Sequence, residues 1–315
     1  MSKEILTGIL DEAQKKNRYT WSLHFFKIDR RAKQQPYRVY KVRFKNDRYL
    51  TTYVENLLNS SRKFQVDKIS QVQEYDGENT KVSCDKLKTS NPLIAEQWTA
   101  FVSAVGNSPD SKIEGKVNGY ILLGEPSDQG EKAVTFVKLA NPVTNLQNKR
   151  TAVFTTTADD ELDLIESDVC RLYLTADFIV YDDTMYTFNH TFETMFDLEK
   201  TMAKAKVAAI DKIVGTETIS NIEEFKTFAT QYKSSRTFIT LKDDRIDRIK
   251  DGRKRKKVAT MLNLSLDANG NFQINTPEEA SLLIRYLCYK VFQDSETDDV
   301  LEASTITKLD ISRNP

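Results

Sequence analysis

Histidine and cysteine are scarce: His24 and His190 are the two histidines, and Cys84, Cys170 and Cys288 the three cysteines, in 315 residues. The histidines stand in aromatic surroundings, LHFF and FNHTF, with no second ligand at metal spacing. They read as packed or surface side chains rather than as a metal centre. Cysteines that are odd in number and far apart argue against a disulfide framework or a cysteine zinc site, and for a reducing compartment. The sequence holds no G-x-S-x-G, no H-E-x-x-H and no phosphate-cradling glycine loop, so the commoner hydrolase, zinc-protease and nucleotide-triphosphatase signatures are missing. No run approaches the ~18 apolar residues of a membrane span. The amphipathic start, MSKEILTGILDEAQKK, carries acids and lacks the apolar core of a signal peptide. The chain therefore reads as cytoplasmic, with no catalytic residue, metal or cofactor assigned.

Net charge is missing too, with 46 Lys and Arg against 46 Asp and Glu. No global field draws the chain to polyanions, so any such binding must come from uneven charge. The charge is uneven. Between Lys15 and Lys63, fourteen basic residues face only Asp29, Asp47 and Glu55, a balance of about +11. From Arg150 to Glu224 the sign reverses, opening with Asp159, Asp160 and Glu161. Lys242 to Lys257 then reads KDDRIDRIKDGRKRKK and ends in five consecutive cations, Arg253, Lys254, Arg255, Lys256 and Lys257. Such a block is either a solvated face beside a core helix or an electrostatic footprint for nucleic acid or anionic membrane.

The periodicity predicts an α+β fold with mixed or mainly antiparallel sheets and packed helices. A helix is expected over residues 3–16, then strands at Tyr19–Ile28 and Tyr37–Phe44. Asn46-Asp47 reads as a turn into a further strand at Arg48–Tyr53, closing a hairpin. Arginines interleaved with tyrosines there, Arg38, Arg43 and Arg48, suit gripping a phosphate backbone. A helix is expected from Asn91-Pro92 to Gly106. Residues 106–115, GNSPDSKIEG, form the best linker, which divides the chain into a basic N-terminal α+β domain, 1–108, and a second α+β domain, 109–315. Beyond it, hairpins are expected at 117–139, at 178–188 around Asp182-Asp183, and at 265–274 around Asn269-Gly270. Residues 161–166 read as a turn or helical piece. Helices are expected from Thr191 through Val214, from Ile222 to Tyr232, and after the Thr276-Pro277-Glu278-Glu279 cap.

Asp110 with Glu114 and Lys116 matches the letters of the PD…ExK nuclease pattern, in which carboxylates hold Mg²⁺. Three intervening residues within a linker are too few to place the two acids on neighbouring strands. Asp177, Asp182 and Asp183 offer a second carboxylate group for Mg²⁺, against which stands the commoner explanation of a β-turn rich in Asp.

The paired segments GYILL and AVTFVKLANP, the run ADFIVYDDTMYTFNHTFETMF, the capped helix TPEEASLLIRYL and the closing VLEASTITKL resemble the B component of the Kiwa anti-phage defence system, the KwaB family. The resemblance implies a cytosolic effector that binds DNA and restricts phage together with a membrane-embedded partner, KwaA. It also implies recruitment to the inner membrane and assembly as at least a homodimer. It supplies no motif of DNA-contact residues, so Arg253–Lys257, Arg38, Arg43 and Arg48 rest on charge and aromatic pattern alone. The expected function is non-enzymatic binding of double-stranded DNA through phosphates. The alternatives are a metal-dependent nuclease and an interaction module docking the partner through Asp159, Asp160 and Glu161.

Overall fold

The computed structural model describes residues 3–32, 35–75, 77, 83–109, 116–128, 130–144, 154–156, 162–164, 169–232, 235–293 and 300–302. The chain forms two compact units, residues 1–74 with 79–196, and residues 75–78 with 197–315. The division expected at residues 108–109 falls inside the first unit, between strands of one sheet. The fold class is α+β, as the periodicity predicts.

The first unit runs α1 (Glu4–Gln14), β1 (Tyr19–Ile28), β2 (Tyr37–Val42), α2 (Asp47–Phe64), β3 (Gln71–Glu74), β4 (Ser83–Lys88), α3 (Ala95–Gly106), β5 (Gly119–Pro126) and β6 (Val134–Lys138). Two short ribbons follow, β7 (Val143–Thr144) with β10 (Val169–Cys170), and β8 (Phe154–Thr156) with β9 (Leu162–Leu164). The hairpin β11 (Phe178–Tyr181) and β12 (Thr184–Thr187) then leads into α4 (Thr191–Met195). Eight strands form one sheet in the order β2-β1-β5-β6-β11-β12-β4-β3, antiparallel throughout except for the β3–β4 edge pair.

Alternation decides which residues cover each face of that sheet. Leu122, Phe136, Ile179 and Tyr186 stand in register across β5, β6, β11 and β12. They share a core with Leu6, Ile9 and Leu10 of α1 and Val54, Leu57 and Leu58 of α2. On the opposite face Phe26 and Tyr37 meet Phe101 of α3 edge-on, at ring-centroid distances of 5.3 and 5.2 Å. Gly119 is fixed by close approach: a Cβ there would lie 2.3 Å from the Lys138 carbonyl and 2.6 Å from the Phe26 ring. The turn between β11 and β12 places Asp182 and Asp183 at φ of 47° and 55°, the left-handed pair of a type I′ hairpin.

Two expectations fail here. Arg48–Tyr53 is not a strand but the first turns of α2. The aromatic and β-branched stretch RYLTTY looks extended when read alone. Continued, Leu50, Val54, Leu57, Leu58 and Ser61 recur at helical spacing. Asn46, read as a turn residue, is the N-cap, and its side chain accepts the Arg48 amide at 2.9 Å. Likewise residues 162–164, expected as a turn or helical piece, are strand β9.

The second unit is mainly helical: α5 (Leu198–Val214), α6 (Ile222–Gln231), α7 (Asp243–Lys250), α8 (Gly252–Leu262) and α9 (Pro277–Leu287). Two ribbons accompany them, β13 (Ser265–Leu266) with β14 (Phe272–Gln273), and β15 (Val291–Gln293) with β16 (Val300–Glu302). The helical run expected from Thr191 breaks at Asp197, whose φ of 53° ends α4 and opens α5. Thr276 caps α9 as its sequence implies, accepting the Glu279 amide at 3.2 Å. Ile213, Phe225, Ile249, Phe272, Leu283, Ile284 and Leu287 are completely buried at the centre. Among the described residues no helix is long and apolar enough to cross a membrane.

Candidate nucleic-acid interface

The five-cation block forms the first turns of α8, and Asp251 sets where that helix begins. Its carboxylate accepts the amides of Arg253 and Lys254 at 2.9 and 3.1 Å. The Lys254 amide above all holds that carboxyl below its usual range. Downstream, Val258, Ala259 and Leu262 enter the core, which fixes the orientation of the helix. Arg253, Lys254, Lys256 and Lys257 are left in solvent. Arg255 turns the other way, donating from Nε to the Gly270 carbonyl at 2.7 Å and from a terminal nitrogen to the Ile249 carbonyl at 3.0 Å. One of the five predicted contacts is therefore a clasp between α7, α8 and the β13–β14 turn.

The placement of these cations runs against helix stability. A helix N-terminus carries partial positive charge and favours acids. The neighbouring helices comply, with Glu223 and Glu224 opening α6, Asp243 and Asp244 opening α7, and Glu278 and Glu279 opening α9. Helix α8 alone among these opens on an uninterrupted run of cations, with no acid in its first turn. Exposed cations and the helix end add their fields in one place.

Beside this turn lies a pocket of about 510 Å³. Lys254 and Lys257 line it from α8, and Arg245 and Arg248 from α7. Val258 and Met261 of α8, Tyr286 of α9 and Phe292 of β15 supply an apolar part. Arg245 is only 7 % exposed. Its guanidinium carbon sits 4.5, 4.2 and 5.6 Å from the ring centroids of Tyr286, Tyr289 and Phe292. Burying a guanidinium costs several kcal/mol, and desolvated cation–π contacts offset it by about 2 kcal/mol or more. The Tyr289 hydroxyl donates to Asp244, and burial together with that carboxylate pushes the phenol pKa up. Sequence reading passed over Arg245, Arg248, Tyr286 and Phe292. The available signal was the i, i+4 spacing of Arg245 and Ile249, which puts the arginine on the buried face of the helix with Arg248 one turn on at its exposed margin.

In the first unit, Arg38 lies on the edge strand β2, Arg43 just beyond its end and Arg48 in the first turn of α2, all exposed. The expected hairpin would have put all three on neighbouring strands; the helix separates Arg48 from the others in kind. His24 is buried on the sheet, its ring nitrogens 2.9 Å from Ser22 Oγ and 3.1 Å from Ser108 Oγ. Burial, reinforced by the neighbouring Lys41 charge, pulls its pKa down to about 4. His190 lies 3.1 Å from Glu193 Oε1 and 3.7 Å from Asp85 Oδ2. Asp177 is buried and accepts from Lys138 Nζ, the Leu139 amide and Asn189 Nδ2 at 2.8, 2.7 and 2.9 Å. These bonds pin β6 to the start of β11. Among the described residues no three His, Cys, Asp or Glu side chains are grouped to hold a metal ion. Asp110 and Glu114 of the nuclease-like letters, and the acidic Asp159, Asp160 and Glu161, lie outside the described residues.

A family model described as Kiwa protein KwaB-like matches residues 127–291, just over half of the chain. The matched segment holds β6, β11, β12 and the whole of α5 to α9. No curated protein and no solved structure matches the chain.

Proposed function

The chain belongs to the KwaB-like family of Kiwa proteins, components of anti-phage defence, and from that premise we propose that it binds double-stranded DNA through phosphate contacts, without catalysis. The observation that carries this reading is the opening turn of α8, where Arg253, Lys254, Lys256 and Lys257 stand in solvent at a helix end already positive. A stability role would place acids there, so the cations are better explained by an anionic partner. Arg38, Arg43 and Arg48 are assigned as additional phosphate contacts. Bound protein would then obstruct replication or transcription of phage DNA.

Family membership implies a partner within the Kiwa system. We assign this role to membrane-embedded KwaA, which would recruit the protein, as a homodimer or larger oligomer, from the cytoplasm to the inner membrane. Asp159, Asp160 and Glu161 are the proposed contact, and neutralising them should abolish co-purification with that partner.

The test of DNA binding is the salt dependence of affinity. Each phosphate neutralised should steepen the log–log slope by about 0.9, with little preference for sequence because phosphates carry no base code. A mobility-shift series between low and physiological salt that finds no salt-sensitive affinity sinks the proposal. Stable nicking of plasmid with Mg²⁺ or Mn²⁺, lost in Asp110→Ala or Glu114→Ala, would replace it with a nuclease.

A further inference from the structure

The pocket between α7, α8, α9 and β15 has the wrong shape for the backbone of an intact duplex. A double helix presents convex ridges of phosphate, which suit the exposed turn of α8. The pocket is concave, and about 510 Å³ lies within the roughly 300–1,000 Å³ of small-molecule sites. Its lining is divided in character. Arg245, Arg248, Lys254 and Lys257 supply positive charge, while Met261 and Phe292 supply apolar surface.

Arg245 gives the chemistry more sharply. It is more than nine-tenths buried, and Tyr286, Tyr289 and Phe292 gather round it. Rings that cover a planar guanidinium leave its edges as the places where hydrogen bonds can form. The guanidinium makes a side-chain hydrogen bond with Tyr289, but its Nε has no hydrogen-bond partner among the described residues. A buried, charged donor without a partner is costly. The Nε edge is also one from which arginine donates two parallel bonds to a phosphate or carboxylate. None of the described residues lining the pocket is acidic, and the Asp244 carboxylate beside it is engaged by the Tyr289 hydroxyl.

We infer that this pocket is a binding site for a single nucleoside phosphate, with the phosphate on the Nε edge of Arg245 and the base against Met261 and Phe292. Arg248, Lys254 and Lys257 complete the charge around the phosphate. The inference rests on the polyanion reading of α8 through Lys254 and Lys257, and otherwise on Arg245. The ligand is either a free nucleotide or an unpaired nucleotide at the end of a strand, and the two share this chemistry.

The experiment is calorimetric titration of the full chain with deoxyadenosine 5′-monophosphate, and with deoxyadenosine as the control lacking phosphate. Alongside it, mobility shifts compare a closed circular duplex with a duplex bearing a single-stranded tail. The monophosphate should bind and deoxyadenosine should not. Arg245→Lys, which keeps the charge but loses the planar fork, should weaken binding roughly 10- to 100-fold. Arg248→Ala, at an exposed position, should weaken it in the same direction and covers the case in which the buried substitution misfolds. A tailed duplex that outcompetes the closed circle, with the advantage lost in Arg245→Lys, identifies the strand end as the ligand. Monophosphate binding without that advantage identifies the free nucleotide. If the monophosphate fails to bind and the tail confers nothing while closed circles still bind, the pocket inference is wrong and the duplex reading survives. If the monophosphate binds and closed circles do not, the duplex reading fails and the pocket stands. Flotation with phosphatidylglycerol vesicles that depends on Arg245, without nucleotide binding, would reassign the site to a lipid headgroup and overturn the inference.

Discussion

Two stretches of this chain carry a large excess of positive charge, and the structure uses them differently. In the first unit many of the cations between Lys15 and Lys63 are engaged with their own surroundings. Arg18 bridges Glu12 and Glu131 at 2.9 and 2.7 Å, Lys15 pairs with Glu12, and Arg62 pairs with Asp11. Arg30 donates to the Thr194 carbonyl at 2.6 Å, and Lys27 lies over the Tyr40 ring. The net charge of about +11 therefore overstates what remains for a partner. In the second unit Arg253, Lys256 and Lys257 make no side-chain ion pair among the described residues, and Lys254 is only loosely paired, 3.9 Å from Asp251. Arg255 alone of the five is turned inward. A charge count over a window measures potential supply; what matters to a polyanion is the part the fold leaves unpaired.

The sharpest way to break that comparison is to neutralise the exposed cations of α8. Arg253→Ala, Lys254→Ala, Lys256→Ala and Lys257→Ala together should flatten the log–log salt slope of duplex binding by about 3 to 4. The same change should lower affinity at least about 100-fold at physiological salt. An unchanged slope in a mobility shift would mean that α8 is a solvated face. Neutralising Arg38, Arg43 and Arg48 together should cost less, roughly tenfold, with a slope change of about 1 to 3. Should the N-terminal set prove the larger, the ranking drawn from pairing is wrong.

Much of this architecture was legible in the chain, because local signals and tertiary packing agree. The β5–β6, β11–β12 and β13–β14 hairpins, and the caps of α9, follow from alternation, turn residues and first-turn acids. Helix α2 was misread where a β-like hexamer stood at the start of a helical repeat, so the window rather than the rule was at fault. Arg255 was grouped with its neighbours because sequence shows charge but not direction; only the position of the Gly270 carbonyl distinguishes a clasp from a contact. Arg245 was diluted by Asp243, Asp244 and Asp247 in the sequence. On the helix those acids are exposed while Arg245 faces inward, so one-dimensional dilution concealed three-dimensional separation. No local pattern foretells that Tyr286, Tyr289 and Phe292 converge upon it.

Arg255→Ala sharpens the contrast within the block itself. Removing two charge-assisted donors from backbone carbonyls should destabilise the second unit by about 1–3 kcal/mol, visible as a lower urea midpoint. Duplex affinity of the folded protein should change by no more than about threefold, since one already occupied cation contributes little counterion release. A variant with wild-type stability and a clearly flatter salt slope would place Arg255 with the exposed contacts after all.

The smallest expected effect on DNA binding comes from His24, which lies within the basic stretch but facing Ser22 and Ser108 on the buried sheet face, opposite Lys41 in register. Protonating it there means placing a second cation beside Lys41 without solvent, so burial first and that charge second lower its pKa from 6.5 to about 4. The sign follows from proton linkage. Above pH 6.5 the imidazole is neutral in the folded and unfolded chain alike, and the fold is at its full stability. Between pH 6.5 and about 4 the unfolded chain takes up a proton that the folded unit refuses, so stability falls as pH falls. His24→Gln, neutral at every pH and still able to bond a serine hydroxyl, should remove this component. Urea midpoints of the wild type should therefore drop more between pH 7 and pH 5 than those of His24→Gln, with duplex affinity at pH 7 unchanged. Equal drops in the two proteins would mean that the site admits the proton. His24 would then belong with the engaged but solvated cations around it rather than with the buried core that holds them apart.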